Sequence, residues 1–338
     1  MNLEAFQRDV EEKSEAVDRR LAEFLQRGEA VENLHEGLIY ALGLDIEDRR
    51  LRGKRLRPVL CLQACEALGG PLERAMPFAC AIELVHNFCL IHDDLEDGDR
   101  MRHDRPTVWV RYGAPHAINI GDYMLAKVFM LLTEDGAAEA ELRGRQLRLI
   151  SETLDHTHIG QALDINARSR RDFSMEDYLR IVREKTGYYL AAPILGGAMA
   201  AGASEAILEV IRRMGHYVGP LFQVIDDLID LTEGKGRGEI GSDIREGKRS
   251  YLVAATLERA APEEREQLLE ILDRPREETT PQHVAQALAL FERHGALQAA
   301  RQCAEGLHRE AARLLADLPE PLAERLQWTL EALTRRTR

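Results

Sequence analysis

Apolar residues recur every three or four positions along nearly the whole chain, which is the spacing of one face of an α-helix. Leu21-Phe24-Leu25, Leu269-Ile271-Leu272 and Leu307-Leu314-Leu315 are examples, and the alternating pattern of strands is scarce. The sequence therefore predicts an all-α fold. We expect residues 1–338 to form a single-domain bundle of roughly ten or more helices.

Helix boundaries are marked by capping residues and by glycine or proline. Starts are predicted at Ser174, Ala261-Pro262 and Thr280-Pro281, and breaks at Gly113-Ala114-Pro115, Gly196-Gly197 and Gly219-Pro220. The glycine-rich residues 234–241 are predicted to form a loop, and no predicted strand precedes them as a Walker A or dinucleotide fingerprint requires.

Charge and cysteine content narrow the class of protein. The net charge of −13 argues against nucleic acid as a partner. The five cysteines show no C-x-x-C or zinc-finger spacing, which favours thiols in a reducing compartment. The N-terminus lacks a signal-peptide layout, and no uninterrupted apolar run approaches the roughly 18 residues that span a bilayer. We expect a soluble, cytoplasmic protein without a transmembrane segment.

Two acidic clusters, residues 93–97 and 226–230, both read D-D-x-x-D. Helical residues three and four apart share a face, so each cluster directs two or three carboxylates at one point. Such carboxylates repel one another unless a cation lies between them, and oxygen ligands without Cys or His favour Mg²⁺. We predict that the clusters face each other across a central cavity and bind Mg²⁺ and phosphate, the alternative being two solvated acidic helix faces.

The residues before the first cluster continue its helical face. His86, Cys89, Asp93 and Asp97 follow one another at spacings of 3, 4 and 4, so they form one stripe. A lone histidine on an apolar face is most often a core residue, but continuity with Asp93 favours a functional role here. Basic residues that could balance two anions are those of the cationic turn at 53–58, namely Lys54, Arg55 and Arg57, together with Lys185, Lys235, Lys248 and Arg249.

These motifs together resemble those of the trans-isoprenyl diphosphate (polyprenyl) synthases, and most closely geranylgeranyl diphosphate synthases. They occur in that family's order between about residue 50 and residue 255. The motifs are Gly53-Lys54-Arg55-Leu56-Arg57-Pro58, His86, His92 with the first cluster, Arg102 with Pro106-Thr107, Gly121-Asp122, Gly160-Gln161, Lys185-Thr186, Phe222-Gln223 with the second cluster, Lys235 and Gly247-Lys248.

The resemblance implies an isoprenoid-synthase fold, a homodimer, and a reaction that joins isopentenyl diphosphate to an allylic diphosphate (dimethylallyl, geranyl or farnesyl) and releases diphosphate. It implies about three Mg²⁺ ions with the bound allylic diphosphate, held by Asp93, Asp94, Asp97, Asp226 and Asp230. The implied catalytic residues are Asp93, Asp97, Lys185, Asp226 and Lys235. The implied allylic-diphosphate contacts are Arg102, Lys185, Thr186, Lys235 and Lys248; Gln223 is a further substrate contact, and the implied isopentenyl diphosphate pocket is Lys54, Arg57 and His86.

The chain departs from the family pattern after the first cluster. The family usually has two arginines there, the second of which serves isopentenyl diphosphate, whereas this chain has Arg102-His103. Histidine brings at most one charge and no bidentate fork. Either Arg100 or Arg105 supplies the missing charge, or His103 binds isopentenyl diphosphate more weakly and with more dependence on pH.

Residues just before the first cluster limit product length in this family. Phe88 and Cys89, an aromatic followed by a small residue, resemble the pair in synthases of the twenty-carbon product. Two aromatics would favour the fifteen-carbon farnesyl product, and two small residues a longer chain. Alternatively, Phe88 simply packs between helices.

Two other functions remain open. A class I terpene cyclase also binds Mg²⁺ and an allylic diphosphate, but it needs no second diphosphate pocket, so Lys54, Arg57 and His86 argue against it. A regulatory subunit of a heteromeric synthase would be expected to have lost acids from one cluster, whereas both clusters are complete.

Overall fold

The structure is a computed structural model that describes residues 3–27, 29–48, 52–53, 55–134, 139–231 and 240–335. These residues form sixteen α-helices and one two-stranded hairpin, which confirms the predicted all-α class. The helices are α1 Leu3–Leu25, α2 Leu34–Ala41, α3 Leu56–Ala67, α4 Leu72–Glu96, α5 Val108–Tyr112, α6 Ala114–Glu134, α7 Ala140–Ala167, α8 Met175–Val182, α9 Tyr188–Ala200, α10 Glu205–Asp230, α11 Ser242–Arg245, α12 Tyr251–Arg259, α13 Pro262–Leu272, α14 Pro281–Arg293, α15 Ala296–Leu314 and α16 Glu320–Arg335.

Shorter elements complete the described part of the chain. Strands β1 (Met101–Arg102) and β2 (Arg105–Pro106) pair antiparallel. A π-helical turn spans Arg183–Gly187, and 3₁₀ turns span Arg276–Glu278 and Leu315–Asp317. The predicted loop at 234–241 falls almost wholly outside the described residues.

The chain divides into two compact units, each built from separate stretches of sequence. Unit 1 comprises Met1–Ser151, Ala192–Glu209 and Pro319–Arg325, and unit 2 comprises Glu152–Ala191, Val210–Leu318 and Leu326–Arg338. The first acidic cluster belongs to unit 1 and the second to unit 2. Both the single domain and the central cavity between the clusters stay predictions.

Unit 1 is organised around α4, which packs against α3 and α6. The stretch 75–85 of this helix is almost entirely apolar, as expected where a helix is enclosed by others, and Phe78, Ile82 and Leu84 are fully buried. By length and composition alone, α4 could cross a membrane, the one such helix among the described residues. However, 72% of its apolar window is buried, which is typical of a core helix.

Unit 2 has its own core, to which α12, α14 and α15 contribute. Val224, Leu252, Leu268 and Phe291 are among its buried residues. All three predicted helix starts lie in this unit and are confirmed: the Ser174 hydroxyl accepts a hydrogen bond from the Asp177 backbone N–H, α13 begins at Pro262 directly after Ala261, and Thr280 caps α14 ahead of Pro281.

The predicted breaks at Gly196-Gly197 and Gly219-Pro220 are wrong, since α9 and α10 run through them. These glycines allow close packing instead. A Cβ on Gly197 would lie 2.0 Å from the carbonyl oxygen of Cys61, and a Cβ on Gly219 would lie 2.5 Å from Cα of Gly187. The break at Gly113, between α5 and α6, is confirmed.

Candidate functional site

The first acidic cluster occupies the last turn of α4, and one of its members is already paired. Arg102 places Nε 2.7 Å and Nη2 2.6 Å from Oδ1 of Asp94. Burial raises the pKa of Asp94 to about 6, and the guanidinium of Arg102 acts against this rise. Asp93 is half-buried and Asp97 buried. Asp94 therefore orients Arg102 beside the cluster.

His86 and Arg57 come together about two helical turns before the cluster, with Nη1 of Arg57 3.2 Å from Nε2 of His86. A guanidinium can only donate, so this ring nitrogen accepts and His86 is neutral. Burial, reinforced by the charges of Arg57 and Arg102, holds the pKa of His86 well below its ordinary value; Arg55 and His103 act in the same direction. Unit 1 thus brings Arg57, His86, Arg102 and His103 together, as a phosphate-binding group requires.

The neighbouring Arg55 has a structural role. It is buried, and its guanidinium binds Asp18 and Glu83, each at 2.8 Å, and the carbonyl oxygen of Leu42. Its charge is balanced within unit 1, so among the described cations of the turn only Arg57 lies against His86. Lys54 lies outside the described residues.

Arg102 and His103 lie on the β1–β2 hairpin. Arg102 pairs with Arg105 across it, and the two residues of the turn, His103 and Asp104, have φ of 51° and 59°. Left-handed conformations at both central positions define a type I′ turn, and histidine and aspartate tolerate them better than most residues. Arg105 forms a bidentate ion pair with Asp45, at 3.2 and 2.5 Å. In this arrangement its guanidinium binds Asp45 and does not supply the charge that the missing second arginine would bring.

Phe88 is buried inside unit 1, with 3% of its surface exposed. Its ring contacts that of His92 edge-on at 4.7 Å. A Cβ on Gly121 of α6 would lie 2.4 Å from Nε2 of His92, so α6 packs directly against the imidazole. Cys89 is half-buried. The role of Phe88 and Cys89 in product length stays a prediction.

The second acidic cluster ends α10, and its acids anchor neighbouring segments of unit 2. Asp227 accepts hydrogen bonds from Tyr178 Oη at 3.0 Å, Gln223 Nε2 at 3.0 Å and the Tyr251 backbone N–H at 2.9 Å. The carboxylate therefore joins α8 and α10 to the start of α12.

Asp230 is fully buried, and both its oxygens are engaged. The Ser242 hydroxyl donates to Oδ1 at 2.6 Å, and the Asp243 backbone N–H donates to Oδ2 at 3.2 Å. Asp230 thus caps α11. Asp226 is half-buried.

Lys185 and Thr186 lie in the π-helical turn, an element found often at functional sites. Nζ of Lys185 lies 2.9 Å from Oδ2 of Asp164 on α7, and Thr186 is buried. Gly160 of α7 permits this approach, because a Cβ there would lie 2.2 Å from the Lys185 backbone nitrogen. The turn is therefore held directly against α7.

Lys248 forms an ion pair with Glu246 at 2.6 Å. Arg276 also approaches Glu246, at 3.5 Å. The Glu246 side chain is almost fully buried, so two cations compensate its charge. Lys235 lies outside the described residues.

The donors of each acidic cluster suit Mg²⁺. Among the described residues, no group of three or more His, Cys, Asp or Glu is arranged to hold a metal, so an ion at either cluster would need further ligands from water or from a bound molecule. Asp93 and Asp97 in unit 1, and Asp226 in unit 2, each offer hard oxygen ligands, and Mg²⁺ commonly shares its coordination with waters and phosphates. Asp94 and Asp230 are instead engaged by protein donors.

Sequence reasoning missed the partners that hold the predicted residues: Asp18, Glu83, Asp164 and Tyr178. Of these four partners, only Asp164 could have been predicted from the sequence. It follows Gly160 by four residues and so shares the helical face of that motif. The others come from distant parts of the sequence.

Known proteins share both the sequence and the fold. The family model of the polyprenyl synthetases matches residues 47–291. The chain is 37% identical over 255 residues to a short chain isoprenyl diphosphate synthase from Methanothermobacter thermautotrophicus, covering 75% of this chain and 76% of that protein. It is 34% identical over 247 residues to a geranylgeranyl diphosphate synthase from Cyanophora paradoxa, with coverage of 71% and 80%.

A farnesyl diphosphate synthase from Mycobacterium tuberculosis is 38% identical over 210 residues, covering 61% of this chain and 57% of that protein. Among solved structures, a geranylgeranyl pyrophosphate synthase from Corynebacterium glutamicum, complexed with isoprenyl diphosphate and magnesium, superposes with a TM-score of 0.84. It is 26% identical, with coverage of 100% and 99%.

Proposed function

Because the chain belongs to the polyprenyl synthetase family, we propose that it is a Mg²⁺-dependent prenyltransferase that joins isopentenyl diphosphate head to tail to an allylic diphosphate. The proposed product is geranylgeranyl diphosphate. Relatives named short chain isoprenyl and geranylgeranyl diphosphate synthases support it. Farnesyl diphosphate synthases also match, so the fifteen-carbon product is the alternative.

One observation carries the proposal: Arg57 lies against His86, with the charges of Arg102 and His103 acting on the same imidazole. A cationic pocket beside a carboxylate cluster suits a second diphosphate. A terpene cyclase, which ionises a single diphosphate, has no use for it.

Different side chains have different binding roles in this proposal. Asp93, Asp97 and Asp226 would hold Mg²⁺, which when bound supplies Lewis acidity to the leaving diphosphate. Lys185, held at Asp164, and Thr186 add donors to the allylic diphosphate. The remaining predicted contacts are Arg102, Lys235 and Lys248 for that substrate, Lys54, Arg57 and His86 for isopentenyl diphosphate, and Gln223 as a further substrate contact.

Asp94 of the first cluster and Asp227 and Asp230 of the second have separate tasks in this proposal. Asp94 orients the guanidinium of Arg102, and Asp230 fixes the start of α11, because their oxygens accept hydrogen bonds from those groups. Asp227 likewise joins α8 to α12.

A condensation assay tests the function. The protein is incubated with Mg²⁺, labelled isopentenyl diphosphate and dimethylallyl, geranyl or farnesyl diphosphate in turn, and the products are sized; EDTA provides the metal-free control. We expect a twenty-carbon end product from all three starters. Cyclised hydrocarbon without consumption of isopentenyl diphosphate would establish the cyclase instead, and farnesyl diphosphate as the end product would refute the proposed chain length.

The proposed homodimer is supported by an apolar surface on α6. Ile118, Phe129 and Met130 are 48%, 39% and 38% exposed. Ile118 and Phe129 are eleven residues apart (129 − 118), close to three helical turns, so they share a face. Light scattering should give twice the chain mass of 38.2 kDa, and Phe129→Glu should give the monomer. A monomeric wild type would refute the dimer.

A cytoplasmic location is also proposed. The five cysteines, all within the described residues, form no disulfide, which suits a reducing compartment. Cell fractionation tests this, and recovery with the membrane or outside the cell would contradict it.

A further inference from the structure

The β1–β2 hairpin is too small to hold itself in place. Each strand has two residues, and an isolated two-stranded hairpin is marginally stable even at greater length. Its turn also places His103 and Asp104 at positive φ, which residues with a Cβ adopt at some cost. The position of Arg102 and His103 therefore depends on what the hairpin packs against.

The last turn of α2 and the segment that follows it anchor β2. Arg105 forms a bidentate ion pair with Asp45, with Nη1–Oδ1 at 3.2 Å and Nη2–Oδ2 at 2.5 Å. The same guanidinium stacks on the ring of Tyr40, with Cζ 3.9 Å from the centroid, and Arg111 also lies over that ring, at 4.2 Å. Bidentate pairing and cation–π stacking both favour one orientation of Arg105.

Tyr40 also binds the hairpin backbone. It is buried, and its hydroxyl donates to the carbonyl oxygen of Pro106 at 2.7 Å. Tyr40 and Asp45 therefore hold both residues of β2 by side-chain and backbone contacts. Both lie before residue 47, where the match to the family begins.

Fixing β2 fixes Arg102, because Arg102 pairs directly with Arg105 across the hairpin. On the other side, Arg102 binds Asp94 in the first acidic cluster. The hairpin is thus attached to α4 through Arg102 and to Tyr40 and Asp45 through β2, and its base is closed by Thr107 Oγ1 and Trp109 Nε1, which donate to the carbonyl oxygen of Asp99. Loosening the attachment at Tyr40 and Asp45 lets the part of the hairpin beyond this base, with Arg102 and His103, move relative to His86.

We propose that Tyr40 and Asp45 are positioning residues, which hold the hairpin so that Arg102 and His103 remain beside the diphosphate pocket at His86. This rests on the proposed function. The effect falls mainly on isopentenyl diphosphate, because the allylic diphosphate is held in addition by Mg²⁺ and by Lys185.

The variants Asp45→Asn and Tyr40→Phe test the two contacts separately. The first neutralises the ion pair, and the second removes one hydroxyl while keeping the ring beneath Arg105, so it should fold normally. Asp172→Asn is the matched control, because Asp172 also pairs with an arginine, Arg170, at 3.0 Å, but in unit 2 and on the surface.

For Asp45→Asn we expect the KM for isopentenyl diphosphate to rise by up to about fivefold, as the loss of a solvent-exposed ion pair allows, with the KM for the allylic substrate and kcat within about twofold. Tyr40→Phe should raise the KM for isopentenyl diphosphate in the same direction. Hydrogen exchange of residues 100–112 should accelerate in both variants and stay unchanged in Asp172→Asn. If Tyr40 and Asp45 only stabilised the fold, their variants would lower kcat and the kcat/KM for both substrates together. That pattern would overturn the proposal.

Hydrogen exchange separates this proposal from the proposed function, since it needs no substrate. If the wild type fails to condense the two diphosphates but exchange at 100–112 still responds to Asp45→Asn, the function is wrong and the anchoring stands. Unchanged exchange and unchanged KM in an active enzyme would refute the anchoring alone.

Discussion

Gly160→Ala should disable the π-helical turn that carries Lys185 without unfolding the protein. The added Cβ would lie 2.2 Å from the Lys185 backbone nitrogen and 2.5 Å from its Cα. Unstrained carbon contacts are about 3.5 Å or longer, so the turn must retreat by roughly 1 Å. Backbone atoms cannot rotate out of the way as a side-chain tip can. Overpacking of this kind costs about 1–3 kcal/mol of unfolding free energy.

The same displacement carries Lys185 away from its position at Asp164. A misplacement of about 1 Å can cost on the order of 10²-fold in rate, and we expect kcat to fall by that amount. Condensation at saturating substrates measures kcat, and urea denaturation measures the stability.

Gly144→Ala is a matched control on the same helix. No described atom lies within 4 Å of a Cβ at Gly144, and alanine in a helix interior is about 0.5–1 kcal/mol more favourable than glycine. This variant should be slightly stabilised and fully active. Wild-type kcat in Gly160→Ala, or an equal loss in Gly144→Ala, would refute the reasoning.

Three further predictions concern buried groups. Phe88→Ala should lower the unfolding free energy by about 3–5 kcal/mol through the cavity it leaves, and chromatography should show products longer than twenty carbons. Asp230→Ala should cost about 2–6 kcal/mol in urea denaturation, because it leaves the Ser242 hydroxyl and the Asp243 N–H buried without their acceptor, at about 1–3 kcal/mol each. For His86, whose pKa is lowered in the folded state, the folded protein binds fewer protons than the unfolded one below about pH 6.5. The unfolding free energy should therefore fall on acidification below that pH, by at most about 1.4 kcal/mol per pH unit, and His86→Gln should reduce this fall.

Each of these has an outcome that contradicts it. Unchanged product length in Phe88→Ala would mean that Phe88 only packs between helices. A cost below about 1 kcal/mol in Asp230→Ala would mean that α11 finds another cap. The raised pKa of Asp94 makes the unfolding free energy rise as the pH falls below about 6, which opposes the effect of His86. The His86 prediction therefore rests on the difference between wild type and His86→Gln. Identical dependence of the unfolding free energy on pH in the two proteins would contradict it.

Local features of the sequence predicted local structure well. The apolar periodicity identified an all-α protein, and Ser174 and Thr280 start helices by hydrogen bonds that span only three residues. The family resemblance implied that Arg57 and His86 share one pocket, and the two side chains lie 3.2 Å apart; their role in binding stays a prediction. Periodicity alone could not have shown their proximity, since the two residues lie on different helices.

A glycine can either end a helix or let another segment of the same chain pack closely against it, and the sequence does not distinguish these two roles. Gly113 ends a helix, whereas Gly197 and Gly219 lie within helices at points of close packing. Steric exclusion depends on which backbone lies opposite, and that partner comes from a distant part of the chain.

The sequence by itself determined the helical class, the two acidic clusters and the type of cation and anion they suit, because each depends on residue chemistry and on spacing within one helix. The tertiary structure alone decided which charges are available to a ligand. Arg55 lies 37 residues from Asp18 and 28 from Glu83, and both neutralise it in the core. Asp230 and Arg105 are likewise engaged by residues that folding brings to them. Whether a charged side chain can bind a ligand depends on its burial and on partners that are remote in sequence. No local sequence pattern encodes either of these.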